Sequence, residues 1–246
     1  MGRLYTIATP LGNLEDITYR AVRILGAIDL VLCEDTRVSR HLLDRYEITT
    51  PTRPYHQHSS PAQDQWILDQ LASGKELGLI SDAGTPTISD PGARLVALAI
   101  AAGHEVVPIP GPSAVVTALQ ASGVDTSSFH FLGFVPHKKG RQTMLERVAT
   151  ADETVVFYES IHRLDKTIQA LANSGKYIVV ARELTKAFEE FIRGDAASVA
   201  QKISVHKNLK GESVVIVAPQ RFKLPSETMG GDTVKPRRHA AAKSGR

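Results

Sequence analysis

The chain has 246 residues, of which 42% are apolar and 22% are charged, and its formal net charge is +3 at pH 7. This apolar content excludes a protein that is disordered throughout, because enough side chain can be buried to offset the backbone entropy. The same composition excludes collagen-like and coiled-coil proteins. The length suits one large domain or two compact domains.

The basic charge is concentrated at the C-terminal end of the chain. Residues 223–246 hold six Lys and Arg against two Asp and Glu, a net charge of +4, which leaves −1 for residues 1–222. This segment has few large apolar side chains, so we expect a disordered basic tail. Any RNA-binding surface on the body of the protein must therefore be local.

The single cysteine, Cys33, excludes an intrachain disulfide and favours a reducing compartment. It ends an apolar run, so we interpret it as a buried structural thiol rather than a nucleophile. Apolar runs stay well short of the roughly 18 residues of a membrane span, and the N-terminal residues are typical of a strand rather than a signal peptide. We expect a cytoplasmic protein that does not associate with membranes.

Eight short apolar runs predict β-strands, with longer amphipathic stretches between them. Several are continuous Val, Ile and Leu runs, typical of strands covered on both faces. The predicted strands are Tyr5–Ala8, Ile28–Cys33, Leu77–Ile80, Val106–Ile109, Phe129–Phe134, Thr154–Tyr158, Tyr177–Ala181 and Ser213–Val217. The alternation predicts βαβ units with right-handed crossovers and mainly parallel sheets.

Three predicted helices begin with capping signals. Ser60 and Asp90 each precede a proline, which is favoured at the first helical position. The second of these helices should end at Gly103. Asp195 is the expected N-cap of a later helix.

A domain boundary is predicted near residues 112–127, where Gly, Pro and Ser are frequent. We expect an α/β fold of two lobes with a ligand cleft between them. The N-terminal lobe should cover residues 1–115, the C-terminal lobe residues 116–222 and the tail residues 223–246.

Three loops at the carboxyl ends of predicted strands are candidate ligand loops, because open α/β sheets bind ligands there. They are residues 9–13, residues 81–92 with two Gly, two Pro and two Asp, and residues 108–114 with three prolines. The second is longer than most connections between a strand and a helix. Each loop also has a purely structural interpretation. Residues 9–13 could be a plain turn, residues 81–92 a long structural loop, and Ser113 the cap of the helix that follows residues 108–114.

Two further strand ends carry charged residues, at Glu34–Arg37 and Tyr158–Arg163. An acid beside a base suits a hydroxyl substrate with a phosphate, and it equally suits an N-cap with a surface ion pair. The histidines in residues 55–58 have no recognisable third ligand nearby, so we expect no metal site. The dinucleotide fingerprint, the P-loop and the hydrolase elbow do not occur in the sequence.

Seven segments taken together, in this order, resemble the small-subunit ribosomal RNA methyltransferase I family within the tetrapyrrole methylase superfamily. They are Ile7–Asn13, Glu34–Arg37, Ser81–Gly92, Pro110–Ala114, Phe157–Ser160 with His162 and Arg163, Ala181–Lys186, and Lys210–Glu212. The resemblance covers roughly residues 3–218, and Ile161 departs from it, because the family usually has Pro there.

The resemblance implies a homodimer of two-lobed chains with S-adenosylmethionine in the cleft. It also implies methyl transfer to the ribose 2′-hydroxyl of a cytidine in 16S rRNA of the small ribosomal subunit. The implied cofactor contacts are Pro10, Leu11, Gly84, Thr85, Pro86, Ile88, Ser113, Ala114, Tyr158 and Glu159.

A ribose hydroxyl is a poor nucleophile, so its methylation benefits from a base that takes the proton. We hypothesise that Asp35 or Glu34 is this base or orients the hydroxyl, with His162 as a second candidate. The best local basic patch is the run His137–Arg141, and a solvated loop is its alternative interpretation. The expected RNA-binding residues are Arg37, Arg40, Lys138, Lys139, Arg141 and Arg163.

Two other functions remain open from the sequence. One is a methylase of the same superfamily that acts on a tetrapyrrole precursor, although aromatic residues are only 6% of the chain. The other is a non-catalytic ribosome- or RNA-binding protein whose tail supplies the affinity.

Overall fold

A computed structural model describes residues 2–206 and 211–224 of the chain, so the predicted tail lies almost wholly outside the described residues. The described residues form ten strands in two five-stranded sheets, with eight α-helices and a short 3-10 turn at Leu14–Asp16. None of the helices in these two ranges is both long enough and apolar enough to span a membrane.

The first sheet is entirely parallel, with strand order β3-β2-β4-β1-β5. Its strands are β1 (Arg3–Ile7), β2 (Leu30–Cys33), β3 (Thr52–Pro54), β4 (Leu77–Ile80) and β5 (Glu105–Ile109). The helices between them are α1 (Tyr19–Leu25), α2 (Thr36–Arg45), α3 (Pro61–Ala72) and α4 (Ala93–Ala101). This half of the molecule confirms the predicted βαβ alternation.

The second sheet has the order β6-β7-β10-β8-β9. Its strands are β6 (Phe129–Phe134), β7 (Thr154–Ser160), β8 (Tyr177–Arg182), β9 (Glu190–Asp195) and β10 (Glu212–Val217). The chain enters this half through α5 (Ala114–Gln120), and the helices that follow are α6 (Arg141–Thr150), α7 (Ile161–Leu171) and α8 (Ala196–Ser204).

The prediction of mainly parallel strands does not extend to this second sheet. Only β6 and β7 pair in parallel, whereas β10 is antiparallel to β7 and β8, and β8 is antiparallel to β9. The reason is connection length: a parallel pair needs a crossover of a dozen residues or more, and β8 reaches β9 through residues 183–189 alone.

Two of the three predicted helix starts are confirmed. The side chains of Ser60 and Asp195 cap α3 and α8 by accepting backbone N–H groups. The third was wrong, because α4 begins at Ala93 after Gly92, whose φ is 121°. Asp90 therefore belongs to the preceding loop and not to the helix.

Burial on both faces is found in β2 and β4 of the first sheet and in β7, β8 and β10 of the second, which explains their continuous apolar runs. In β2, Leu32 packs into a core cluster on one face, while Val31 and Cys33 pack into a cluster on the other. In β7, Val156 and Phe157 divide in the same way. Cys33 is fully buried, as predicted, and hydrophobic burial of this kind is the main stabilising contribution to such a fold.

Candidate active site

A cleft of about 900 Å³ lies where the carboxyl ends of the first sheet face the second sheet. Its first wall comes from the loops that follow β1 to β5 and from the start of α4. Its second wall comes from β6, β7, β8 and β10 and from the loop after β8. A cleft of this size at strand ends is the usual form of a small-molecule site in an α/β protein.

Most of the residues expected to contact a cofactor lie together in this cleft. Seven of the ten line it: Leu11, Gly84, Thr85, Ile88, Ser113, Ala114 and Tyr158. Pro10, Pro86 and Glu159 are buried and do not line the cleft.

Hydrogen bonds join three of the cleft loops into one unit. Thr9 and Gly84 exchange both backbone hydrogen bonds, at 2.8 and 3.0 Å, and the Thr9 hydroxyl donates to the carbonyl of Ser81 at 3.0 Å. The Thr85 hydroxyl donates to the carbonyl of Pro112 at 3.0 Å. The φ of Gly84 is 84°, a conformation that favours glycine. The loops that follow β1, β4 and β5 are thus fixed relative to one another before any ligand binds.

The second wall contributes an aromatic surface. The rings of Phe134 and Tyr158 both line the cleft, with 5.1 Å between their centroids. Burial raises the pKa of Tyr158 to about 12, so the phenol is neutral at physiological pH. This surface suits a flat, uncharged ring such as a nucleobase.

Carboxylates dominate the charged lining of the cleft. Burial raises the pKa of Asp90 to about 6, and the nearby charges of Glu34, Glu212 and Asp82 act in the same direction. The pKa of Glu34 is also raised, first by burial and then by the charge of Asp82. Raised pKa values are typical of carboxylates that exchange protons near neutral pH.

The three predicted catalytic side chains have different surroundings. Glu34 lines the cleft. Asp35 instead caps α2 and forms a 2.6 Å ion pair with Arg37, which holds its pKa at about 2. His162 is exposed in the first turn of α7 and does not line the cleft. Of the two interpretations of this strand end, Asp35 therefore has the second, an N-cap with an ion pair.

Glu159 is the centre of a buried ion-pair cluster rather than a cleft residue. Its carboxylate is fully buried and lies 3.1 Å from the guanidinium of Arg141 and 2.7 Å from that of Arg163. It also accepts hydrogen bonds from the Thr167 hydroxyl at 2.5 Å and from the backbone of Ser160 at 2.9 Å. Each oxygen of the Glu159 carboxylate thus has two partners within the protein, and its expected cofactor contact stays a prediction.

The same cluster changes the expected RNA-binding surface. Arg141 and Arg163 are each about 20% exposed and turn toward Glu159, because a buried carboxylate requires paired cations. Their expected RNA-binding role stays a prediction, with part of each side chain exposed. Lys138 and Lys139 are exposed. Arg40 lies 3.7 Å from Asp44, as an exposed ion pair on α2.

Residues 3–200 match the family model described as Tetrapyrrole (Corrin/Porphyrin) Methylases. The chain belongs to this methylase family. Over 244 residues it is 42% identical to a ribosomal RNA small subunit methyltransferase I from Halalkalibacterium halodurans, covering 97% of this chain and 83% of that protein. It is 47% identical over 224 residues to the protein of the same name from Mesorhizobium japonicum, covering 89% of this chain and 76% of that one.

Solved structures share the methylase fold at low sequence identity. A cobalt precorrin-4 methyltransferase superimposes with a TM-score of 0.65 at 18% identity, over 88% of this chain and 94% of that chain. A diphthine synthase superimposes with a TM-score of 0.69 at 12% identity, over 88% and 90% of the two chains. The two-lobed α/β architecture is therefore that of the methylase family.

Sequence reasoning missed several residues of this methylase cleft. Asp90 was interpreted as a helix cap, although its loop was recognised. Glu183 and Lys186 form a 3.1 Å ion pair in the cleft wall, within a segment that carried the family resemblance without an assigned role. Thr185, between them, accepts a hydrogen bond at 3.2 Å from the backbone of Asn13 and so connects the two halves of the chain.

Proposed function

We propose that the protein is an S-adenosylmethionine-dependent methyltransferase that modifies the ribose 2′-hydroxyl of a cytidine in 16S rRNA. One observation carries the proposal: seven residues that the family resemblance assigns to the cofactor line a single cleft. The chain belongs to the methylase family, and its relatives at 42–47% identity are named ribosomal RNA small subunit methyltransferase I. These names support ribosomal RNA as the substrate.

The cleft residues fit S-adenosylmethionine. Leu11, Ala114 and Tyr158 offer an apolar surface for the adenine ring, and the carboxylates of the lining match the positive charges of the sulfonium and amino groups. Backbone fixed by the Thr9–Gly84 pairing can hold the ligand in one orientation. When bound, S-adenosylmethionine supplies an electrophilic methyl group.

We assign the role of general base to Glu34. It lines the cleft, whereas the carboxylate of Asp35 is occupied by Arg37 and by the start of α2. Burial raises the pKa of Glu34, which makes its carboxylate a stronger base for the proton of a ribose hydroxyl. Glu34 would take the proton of the 2′-oxygen as that oxygen receives the methyl group, and the bond from the methyl carbon to the sulfonium sulfur would break to leave a neutral thioether, S-adenosylhomocysteine.

Single-turnover methylation tests this assignment. The substrates are labelled S-adenosylmethionine and small ribosomal subunits that lack the modification. We expect Glu34→Gln to slow methyl transfer by about 100-fold or more when S-adenosylmethionine is saturating. The adjacent control, Asp35→Asn, should retain most of the rate, because its carboxylate caps α2. Full activity of Glu34→Gln would refute the role, and loss of activity in Asp90→Asn alone would transfer the role to Asp90.

Mapping the labelled nucleotide tests the substrate. Label at the 2′-oxygen of one 16S rRNA cytidine is the expected result. Labelling of a tetrapyrrole precursor instead would favour the other branch of the family. Deletion of residues 223–246 distinguishes the non-catalytic alternative, because an enzyme keeps cofactor binding and most activity without the tail, whereas a tail-dependent binder loses its affinity.

The proposal includes a homodimer in the cytoplasm, as the family resemblance implies. Light scattering coupled to size-exclusion chromatography measures the mass of the particle. A particle of twice the chain mass is expected, and a monomer at micromolar concentration would refute this part of the proposal.

A further inference from the structure

Arg94 is the single arginine in the cleft lining formed by the described residues. It lies in the first turn of α4, directly after the long loop that carries Asp90. Its side chain is 56% exposed. Part of this cationic side chain is therefore accessible to a ligand in the cleft.

The anchor of Arg94 is a buried pair from two other elements. The carboxylate of Asp64, on α3, is 4% exposed and lies 2.7 Å from the Arg94 guanidinium. The other oxygen of Asp64 accepts a hydrogen bond at 3.0 Å from the hydroxyl of Tyr55, which is itself buried after β3. A buried carboxylate is costly unless it is paired, so the charge of Asp64 holds the guanidinium on this side by ion pairing.

The loop beside Arg94 leads back to the proposed base. His56, Gln57 and Ser59 line the same wall, and the Ser59 hydroxyl fixes the loop by accepting the backbone N–H of His56 at 3.0 Å. Glu34, directly after β2, lines this wall as well. Arg94 and Glu34 therefore lie in the same wall of the cleft, which is formed at the carboxyl ends of the first sheet.

We propose that Arg94, oriented by Asp64 and Tyr55, binds a backbone phosphate of the RNA beside the ribose that is methylated. This inference rests on the proposed function and extends it to the recognition of substrate. A planar guanidinium held on one side by an ion pair is well suited to two hydrogen bonds to phosphate oxygens. The carboxylates of the lining repel a polyanion, so a phosphate that enters this wall needs a cation such as Arg94 beside it. Sequence reasoning had located RNA-binding cations on the second half of the chain and on α2, so Arg94 adds a different surface to the interaction.

The test measures KM for unmodified small ribosomal subunits at several salt concentrations, with S-adenosylmethionine at saturation. We expect Arg94→Ala to raise KM about tenfold, the effect of removing one charge-assisted hydrogen-bonding group. The slope of log KM against log salt should fall by about 0.7–0.9, as expected when one phosphate is no longer neutralised by the protein. Arg94→Lys should retain the slope and only part of the affinity. Arg20→Ala, an exposed arginine on α1 outside the cleft lining, is the matched control and should match the wild type.

If the slope of log KM against log salt is unchanged in Arg94→Ala while the Tm is lower, the inference is refuted. Arg94 would then only stabilise the packing of α3 against α4 through its ion pair with Asp64. The proposed function would survive that result if the wild type still methylates the subunits. If the wild type does not methylate them, both proposals are wrong. A third outcome is that the wild type binds a tetrapyrrole polycarboxylate, that Arg94→Ala binds it more weakly, and that neither protein methylates the subunits. This result would identify the bound anion as a carboxylate and refute the assignment to RNA.

Discussion

Replacement of Glu159 by Gln should destabilise the protein strongly while leaving every cleft residue unchanged. The carboxylate is fully buried between two guanidiniums and accepts two further hydrogen bonds. The amide is of the same size, so the change removes the charge without creating a cavity. Arg141 and Arg163 then lack a counter-ion in a largely buried position. Breaking a buried pair in this way costs about 3–5 kcal/mol.

The lower end of that range applies, because the two arginines are each about 20% exposed and water can reach them in part. A loss of about 3 kcal/mol is a large share of the roughly 5–15 kcal/mol that stabilises a typical domain. With an m-value of about 2 kcal/mol/M, the urea midpoint should fall by roughly 1.5 M.

Urea unfolding followed by far-UV circular dichroism measures this shift. Glu105→Gln is the matched control, because Glu105 pairs with Arg3 on the surface and both side chains are about half exposed or more. Its midpoint should match that of the wild type, since exposed ion pairs are screened by water. Fluorescence of Trp66, in α3 and the single tryptophan of the chain, follows the first half separately. A Glu159→Gln midpoint equal to that of the control would refute the role of the buried charge.

Three further outcomes follow from burial and backbone geometry. Burial holds the pKa of Asp90 at about 6, above the ordinary value of 3.8, so the folded state favours the protonated carboxyl and stability falls as pH rises between these values. Asp90→Asn should therefore unfold at higher urea than the wild type at pH 8, and the difference should vanish below pH 4. Gly92→Ala should lower the Tm far more than Gly103→Ala. Both glycines have a positive φ, but only at Gly92 would an added Cβ overlap the side chain of Leu79, so equal Tm shifts would contradict the reasoning. The Cys33 thiol is buried and its pKa is raised by burial, so a thiol reagent should modify it only as fast as the protein opens.

The sequence predicts those parts of the fold that depend on local pattern. All eight predicted strands are present, and the continuous apolar runs among them, as in β4, β8 and β10, belong to strands buried on both faces. The two strands that were missed lack this signal. β3 is a three-residue edge strand that ends in Pro54, and β9 is a polar edge strand. The local sequence pattern also could not predict the strand directions of the second sheet, because these depend on which strands each connection joins.

The sequence predicted the loops of the candidate site, because their shape depends on local backbone conformation. It did not predict the buried ion pairs around the site. Gly and Pro located the loops that line the cleft, since these residues mark turns regardless of distant partners. Glu159 and Asp64 were not recognisable as buried, because acidic residues are usually exposed. Their partners come from other elements: Arg141 lies 18 positions from Glu159, and Arg94 lies 30 positions from Asp64. Such pairs become visible only when the fold brings them together.

The position of β10 has a consequence for biosynthesis. It is the last strand of the described chain, yet it lies in the middle of its sheet, between β7 and β8. The first sheet can be completed once residue 109 has left the ribosome, whereas the second stays divided into two pairs until residue 217 emerges. Until then β7 and β8 expose unpaired edges, which are prone to association with other chains. A nascent chain of this protein therefore carries one completed wall of the cleft while the next 108 residues are made. A messenger truncated before β10 would yield a product suited to degradation rather than to binding.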